Sequence, residues 1–396
     1  MATVALPQTT NIAEDLPLDT APPGEDRDVL MAGEEGEEGD EYESNFVATS
    51  ELRAHGVQAA DIVKLNKAGF TTVGLVASAS TRELSTIKGF SAERIKFLQS
   101  TALTAEPSAG ANLFRSGLEV KMLREETPKI TTGSAAFDAL IGGGIEMGTI
   151  TELTGDAGSG KTALALTLAV KAQLAQEDGG AAGRVLFIDT DDTFRTERIV
   201  QIAEASGVDA DQRAAGAERT ARARKQGRGY DQNLVRSRCL HNITSARAAN
   251  FEQQCECLKH AARELAEPTE GEYRLVVVDC IMANLRAEFA GRGELSERQQ
   301  TLNAHLRELK KFAQAFKVAV VVTNQVMAVP DQFSLGGPQV KSCGGPVMAH
   351  NTNTKIFLKK AGRGQRKATL QHSPFMPYGD CLFSIAPAGV VDALDA

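Results

Sequence analysis

The octapeptide at residues 155–162, GDAGSGKT, constrains the fold of this chain more than any other feature. It fits the pattern G-x-x-x-x-G-K-[ST], follows the strand-like segment 149–154 and precedes the apolar segment 163–170, which is typical of a buried helix. A glycine-rich turn between a strand and a helix directs several backbone N–H groups, together with the helix dipole, at one anion. The pattern and its setting therefore predict a phosphate-binding loop at the edge of a sheet.

Each residue type in this loop has a predicted role in binding ATP and Mg²⁺. Lys161 is expected to reach the β- and γ-phosphates, and the Thr162 hydroxyl to ligate Mg²⁺. The pattern predicts these nucleotide-binding residues: Gly155, Asp156, Ala157, Gly158, Ser159, Gly160, Lys161 and Thr162. A chance match is the alternative, and the flanking strand and helix argue against it.

The net charge of −8 on the 396 residues is unevenly divided. Residues 1–45 hold 13 acidic residues and one arginine, a net charge of −12, which leaves +4 on the remainder. The acidic segment predicts a disordered tail that keeps the protein soluble, with a specific binding role as the alternative. The mildly basic remainder permits a polyanionic partner without requiring one.

Six cysteines occur without a CxxC pair, so we expect reduced thiols in an intracellular protein. Cys255 and Cys257 form one CxC pair, for which a structural role is favoured over metal binding. The sequence has no apolar run of about 18 residues and no basic-apolar leader, so we expect neither a membrane span nor a secretion signal.

Apolar spacing over residues 46–103 predicts a compact helical N-terminal domain. Within it, residues 84–95 fit a helix, a tight glycine turn and a second helix, which resembles a helix-hairpin-helix module. Such a turn would offer the backbone N–H groups of Gly89 and Ser91 to a phosphate. A helical domain that contacts another protein is the alternative.

Residues 104–129 are predicted to be a linker, and the main domain follows as residues 130–396. Apolar runs typical of strands alternate there with helical stretches; the runs lie at 149–154, 185–189, 274–279, 318–323 and 354–359. This alternation predicts an α/β fold with a mostly parallel sheet and helices on both faces.

Polar side chains follow three of these runs, where parallel strands end at one edge of the sheet. Asp279 ends one run and is expected to hold the Mg²⁺ shell through water, with a helix cap as the alternative. The carboxylates of Asp189, Asp191 and Asp192 lie at this edge, where one could position the attacking water, and the Gln325 amide is suited to sensing the γ-phosphate. Each of these could instead be an ordinary polar group of a loop.

Two glycine-containing basic loops follow at the same edge. The first covers residues 289–298; the second, at about 326–346, carries Lys341 and ends at Gly344 and Gly345. Basic loops at the carboxyl edge of a sheet suit contacts with a phosphate backbone. They therefore predict a second, polyanionic ligand.

Three segments together resemble the RecA/RadA-type strand-exchange recombinases of eukaryotes: FAGRGELSERQQ at 289–300, TNQ at 323–325 and ITTGS at 130–134. The resemblance covers about residues 46–396, apart from a stretch near 209–250. The segment DCIMANLR at 279–286 is more similar to the meiosis-specific Dmc-type branch than to the general recombinase.

This resemblance implies a RecA-like P-loop ATPase core and a filament that coats single-stranded DNA, pairs it with homologous duplex and exchanges strands with ATP and Mg²⁺. The implied task is meiotic recombination and double-strand break repair in the nucleus. The implied partners are single- and double-stranded DNA, further copies of the chain in filaments or rings, and mediator proteins; no membrane is implied.

The resemblance also assigns roles to matching positions. Lys161, Asp191 and Gln325 would serve catalysis, with Gln325 as the relay between ATP and DNA. Adenine would lie between Arg198 and Pro377, the latter from a neighbouring subunit. The DNA-binding positions expected in the two loops are Arg286, Arg292, Arg298, Pro330, Lys341, Gly344 and Gly345.

Two further assignments depend on the resemblance alone. Phe114 aligns with the aromatic residue that plugs into the next protomer, and Gly117 stands where the family carries alanine, so the linker is expected to hold an oligomerisation segment. Without the family, Phe114 would be a linker residue tucked onto its own domain. His350 matches a relay histidine, for which a structural role is the alternative.

The nucleotide site departs from the family pattern at three places. Family members usually carry glutamate at the position of Asp191, the usual P-loop arginine is absent, and His372 stands where an aspartate normally caps ATP. We therefore expect slow ATP turnover with intact binding. If protonated His372 faces the γ-phosphate, filament persistence should change between about pH 6 and pH 8, and a flat profile would contradict this.

Residues 212–238 form a basic segment longer than the family's loop, which predicts a solvated insertion, with auxiliary DNA contact as the alternative. Because of the departures at the nucleotide site, a non-catalytic paralogue that acts as a recombination mediator remains the alternative function. The near-complete first DNA loop favours the recombinase.

Overall fold

The computed structural model describes residues 47–106, 116–206, 239–266, 271–291, 293–328 and 340–393. The predictions for the acidic tail, the basic insertion, Phe114, Arg292 and Pro330 lie outside the described residues.

Helices occur in every described range. They are α1 (Ala59–Lys67), α2 (Val73–Ser78), α3 (Thr81–Ser85), α4 (Ala92–Ala105), α5 (Gly117–Glu126), α6 (Ala135–Leu140), α7 (Lys161–Lys171), α8 (Thr196–Ala205), α9 (Phe251–Ala266), α10 (Ala283–Glu288), α11 (Leu295–Phe316) and α12 (Gly345–Asn351). Short 3-10 helices lie at Thr49–Arg53, Gln176–Asp178 and Gly362–Gly364. Among these described helices, none combines the length and apolar character needed to cross a membrane.

The strands are β1 (Lys129–Ile130), β2 (Ile145–Glu146), β3 (Ile150–Gly155), β4 (Arg184–Asp189), β5 (Ile243–Arg247), β6 (Tyr273–Asp279), β7 (Ala319–Asn324), β8 (Val326–Ala328), β9 (Val340–Ser342), β10 (Thr354–Lys360), β11 (Arg366–His372), β12 (Gly379–Ala386) and β13 (Gly389–Asp392). The main sheet has the order β13-β12-β11-β10-β3-β7-β6-β4-β5. Strands β10 to β5 in this order are parallel, and β11, β12 and β13 extend the sheet antiparallel. The predicted mostly parallel α/β fold is confirmed.

Both faces of the central parallel strands β3, β4, β6 and β7 are buried, which explains their nearly continuous apolar runs. Along β6, Leu275 and Val277 pack with α6, α7 and α8, whereas Val276 and Val278 pack with α9 and α11. All four side chains are fully buried. The central strands are therefore held between two helical layers, with their carboxyl ends at one edge.

Helices α1 to α4 enclose a separate apolar cluster that includes Leu52, Leu65, Val76, Leu84 and Leu98. The turn between α3 and α4 contains Gly89 at φ +91°, where an added Cβ would lie 3.2 Å from Lys64 Nζ. Ser91 caps α4 through its hydroxyl, and an ion pair between Glu83 and Lys311 joins α3 to α11. The phosphate-binding role of this turn and the domain boundaries stay predictions.

The buried His305 is expected to make the free energy of unfolding depend on pH. It is buried on α11, its Nε2 lies 3.0 Å from Gln254 Nε2, and its ring packs edge-on against Phe251 at 5.2 Å between centroids. Burial lowers the pKa of His305 from 6.5 to about 4. The unfolded chain therefore binds more protons between these values, and the free energy of unfolding should fall by about 2 kcal/mol between about pH 7 and about pH 5.

Urea denaturation at the two pH values measures this slope. His305→Phe should flatten it, even if the variant is less stable at about pH 7 because the Gln254 Nε2 group loses its hydrogen bond to His305. The control is His55→Phe, since His55 is exposed and its loss should leave the slope unchanged. An equal slope in His305→Phe and in the native chain would contradict the prediction.

Candidate nucleotide site and the loops beside it

The loop between β3 and α7 has a backbone that requires glycine at two positions. An added Cβ at Gly155 would lie 2.2 Å from the Leu358 carbonyl oxygen, so no side chain fits there. Gly160 is the N-cap of α7 and has φ +108°, a region that other residues rarely adopt. These glycines bring the loop backbone close against β10 and start the helix directly after it.

The loop residues fit the phosphates of a nucleotide. Residues 156–158 are exposed, whereas Ser159 is fully buried and its hydroxyl has no hydrogen-bond partner among the described residues. The Lys161 ammonium lies over the loop and donates to the carbonyl oxygens of Gly155 at 2.8 Å and Asp156 at 2.9 Å. Burial lowers the pKa of Lys161, although nearby acidic groups oppose this shift. A half-buried cation beside exposed backbone is suited to binding phosphate oxygens.

Asp279 ends β6 and collects hydroxyl groups from three elements. Its Oδ2 accepts hydrogen bonds from Thr162 Oγ1 at 2.8 Å and Thr193 Oγ1 at 3.3 Å, and its Oδ1 accepts one from Thr323. The carboxylate is only 4% exposed. The structure thus brings Thr162 and Asp279 together, and a hydroxyl beside a carboxylate is a donor set suited to Mg²⁺ and its bound water.

Asp191 lies in the loop that follows β4. This loop is fixed by Asp189, whose carboxylate accepts from the backbone N–H groups of Asp191 at 3.2 Å, Thr193 at 3.1 Å and Phe194 at 2.9 Å. Burial raises the pKa of Asp191, and the neighbouring carboxylates of Asp279 and Asp189 raise it further, while Lys161 lowers it. Asp191 therefore belongs to the same electrostatic group as Lys161 and Asp279.

The two residues expected at adenine lie far apart in one chain. The Arg198 guanidinium on α8 donates to the carbonyl oxygens of Ala386, the last residue of β12, at 2.6 Å and of Pro387 at 3.2 Å. Pro377 is exposed and precedes the start of β12. The length of β12 separates them, so one protomer does not bring them together. His372 is exposed at the end of β11.

The bases of the two predicted DNA loops meet at Gln325. Arg286, exposed on α10, donates to Gln325 Oε1 at 2.8 Å, and the Gln325 carbonyl accepts from the Cys343 N–H at 2.9 Å. Arg298 is half-buried and donates to the Phe289 carbonyl at 3.3 Å.

The remaining predicted residues follow along the second loop and α12. Lys341 is exposed on β9, Gly344 caps α12 at φ +83°, and Gly345 begins this helix. His350 is exposed near its end.

Sequence reasoning missed the organising role of three polar residues: Asp189, Thr193 and Thr323. Asp189 ends β4 and pairs in register with Asp279, Thr193 follows β4, and Thr323 is the next-to-last residue of β7. Polar residues at the carboxyl ends of neighbouring strands were the available signal, but the strand order needed to connect them is not visible in the sequence.

Comparison with known proteins places these features in a family. The model of the Rad51 family matches residues 123–236 and 214–393. The meiotic recombination protein DMC1 of Saccharomyces cerevisiae is 38% identical over 357 residues, 89% of this chain and 96% of the relative. The meiotic recombination protein DLH1 of Candida albicans is 39% identical over 352 residues, 88% of this chain and 98% of the relative.

A third relative is named for both DNA repair and recombination. The DNA repair and recombination protein RadA of Metallosphaera sedula is 38% identical over 341 residues, 85% of this chain and 94% of the relative. The predicted resemblance to RecA/RadA-type recombinases is therefore confirmed, and the chain belongs to the Rad51 family.

Proposed function

We propose that this protein is an ATP-dependent DNA recombinase that forms filaments on single-stranded DNA and catalyses homologous pairing and strand exchange in meiotic recombination and double-strand break repair. One observation supports it most: Lys161, the Thr162–Asp279 pair and the loop bases at Arg286 and Gln325 all lie at the carboxyl edge of one sheet. The names of the relatives support the same task. A nuclear location and mediator proteins as partners follow from this proposal.

ATP would be held by the backbone of residues 155–160 and by Lys161, with Mg²⁺ beside Thr162 and Asp279. When bound, Mg²⁺ supplies positive charge that stabilises the phosphate oxygens during transfer. Lys161 adds a fixed cation at the same oxygens. Asp191 orients a water molecule and accepts its proton, a role suited to a carboxylate whose pKa is raised.

Asp191→Glu should raise the steady-state rate of ATP hydrolysis, by about tenfold, because the side chain gains the methylene that the family's glutamate provides. Phosphate release at saturating ATP and single-stranded DNA measures the rate. Asp380→Glu is a matched control, since Asp380 is exposed on β12 and pairs with Lys367 at 2.8 Å, away from the loop. An unchanged or lower rate in Asp191→Glu would contradict the positional argument.

Self-association has a suitable surface at the end of the main sheet. Strand β5 is last in the strand order, so within the described residues one of its edges has no strand partner. Beside it lies a cavity of about 410 Å³ between β5 and α9, whose apolar lining includes Leu186, Ala246, Cys257 and Ala261. An edge strand beside an apolar cavity suits an extended segment that carries one large side chain. We propose that Phe114 of a neighbouring copy occupies it.

The decisive experiment incubates the purified protein with single-stranded DNA, homologous duplex and ATP. Joint molecules together with long filaments under the microscope would support the recombinase, with heterologous duplex as the control. ATP binding without filaments or joint products would instead favour the mediator. A chain that stays monomeric with saturating ATP and oligonucleotide would contradict both the filament and the strand exchange.

A further inference from the structure

A buried carboxylate lies on the strand that leads into the phosphate-binding loop. Glu152 on β3 is fully buried, three residues before Gly155. In the parallel register it lies opposite Lys355 on β10 and Val322 on β7. Side chains alternate along a strand, so Asn324, two residues beyond Val322, shares its face of the sheet.

Glu152 is bonded from both neighbouring strands. Its Oε1 accepts a hydrogen bond from Asn324 Nδ2 at 2.8 Å, and its Oε2 lies 3.6 Å from Lys355 Nζ. The Lys355 side chain is 14% exposed and that of Glu152 is fully buried. Asn324, Glu152 and Lys355 therefore connect β7, β3 and β10 beneath the surface.

Both partners of Glu152 also hold the end of the second loop. Lys355 Nζ donates to Ser342 Oγ at 2.5 Å, and Asn324 Nδ2 donates to the Cys343 carbonyl at 2.8 Å. Two separate bridges thus connect one carboxylate to two consecutive loop residues. Cys343 in turn donates its N–H to the Gln325 carbonyl, which extends the connection towards the first loop.

Stability alone does not account for this group. Burial raises the pKa of Glu152, while Lys355 and Asn324 lower it. The desolvation cost of a buried ion pair generally offsets most of its attraction, so apolar side chains would stabilise this position equally well. A buried charge pair does, however, specify one arrangement of the elements that carry it, and here those elements are the nucleotide strand and the loop end.

The hydrogen bonding is also incomplete, which allows a second arrangement. Among the described residues, Glu152 Oε2 and Asn324 Oδ1 have no hydrogen-bond partner. Lys355 contacts Ser342 more closely than it contacts Glu152. Because one ammonium contacts both Ser342 and Glu152, a displacement of Ser342 that shifts Lys355 also changes the environment of the carboxylate on β3.

We propose that Glu152, together with Lys355, is a positioning residue through which the loop end at residues 340–343 and the phosphate-binding loop influence each other. This coupling rests on the proposed function in one respect, because DNA is the ligand that would move the loop end. Glu152 and Lys355 contact neither the phosphate-binding residues nor the predicted DNA-binding side chains in the interactions described above, so they act through Asn324, Ser342 and Cys343.

Three variants test the coupling through the ratio of ATP turnover with single-stranded DNA to turnover without it. Glu152→Gln should lower this ratio at least about fivefold, because the amide keeps the shape and loses the charge that attracts Lys355. Lys355→Arg should preserve the ratio. The double variant Glu152→Gln/Lys355→Met should regain the unfolding midpoint that Glu152→Gln loses, yet keep the lowered ratio.

If Glu152 had only a structural role, the ratio of turnover with DNA to turnover without it would behave differently in these variants. If the double variant regains the ratio along with its stability, or if Glu152→Gln leaves the ratio unchanged, the proposal is overturned. A recovered midpoint with a persistently low ratio supports it.

A second measurement separates this proposal from the proposed function. Hydrogen–deuterium exchange of residues 340–351 is followed with and without saturating ATP, in the absence of DNA. ATP should slow exchange there in the native chain but not in Glu152→Gln, at equal occupancy by ATP. If this difference is seen but DNA does not stimulate ATP turnover, the coupling is supported and the proposed DNA-dependent ATPase is refuted. If ATP does not change the exchange of residues 340–351 in the native chain, the coupling is overturned, whether or not DNA stimulates turnover.

Discussion

Lys161→Ala is expected to lower ATP turnover by at least about 100-fold, because the phosphate oxygens lose a preorganised cation in a half-buried site. The ammonium lies within 2.9 Å of two carbonyl oxygens of the phosphate-binding loop, so its position is fixed by that loop. Phosphate release measures turnover, and a fluorescent ATP analogue measures binding in parallel. Circular dichroism checks that the variant is folded.

Lys171→Ala is the matched control for this change. Lys171 ends the same helix, α7, and burial lowers the pKa of Lys171 as it does that of Lys161. Its removal should leave turnover within about twofold, since it lies at the opposite end of the helix from the loop. If Lys161→Ala keeps more than about a tenth of the native turnover, the assignment of Lys161 to the phosphates is wrong.

Asp279→Asn is expected to raise the Mg²⁺ concentration for half-maximal turnover at least about tenfold and to lower turnover at limiting Mg²⁺ by about 100-fold. The amide keeps the shape of the side chain, but the three threonine hydroxyls that donate to Asp279 would lose a charged acceptor. A Mg²⁺ titration of phosphate release measures both effects.

Asp189→Asn distinguishes loss of Mg²⁺ from loosening of the site. Asp189 stands at the matching position of the neighbouring strand and is equally buried, but its carboxylate holds the backbone of the loop that carries Asp191. Its replacement should lower turnover without moving the Mg²⁺ midpoint. A shifted midpoint in Asp189→Asn, or an unshifted one in Asp279→Asn, would contradict the assignment of Asp279.

The central strands β3, β4, β6 and β7 could be predicted because both of their faces are buried, so their sequences are nearly continuous apolar runs. Strand β5 and the antiparallel strands could not, because each buries only one or two of its residues. The sequence of β11, RKATLQH, buries only Ala368 and Leu370, and such a pattern resembles a polar loop. Strands that bury so few residues have too few apolar side chains for periodicity alone to distinguish them from polar loops.

The position of Asp279 at the sheet edge could be predicted, because it ends the apolar run of β6. Its partners could not: Thr193, in the loop after β4, and Thr323, on β7, reach Asp279 only through a strand order that the sequence does not reveal. Glu152 could not be found for the same reason. A lone carboxylate inside an apolar run acquires its partners only when β7 and β10 come to lie on either side of it.

The chain leaves β7 on one side of β3, passes through the second loop and α12, and returns as β10 on the other side of β3. Residues 325–353 therefore connect the two strands that flank β3, the strand that leads into the phosphate-binding loop. A segment exchanged here with that of a relative would have to keep the sheet register of β7 and β10 on both sides of β3. It would also have to keep the contacts of Ser342 with Lys355 and of Cys343 with Asn324.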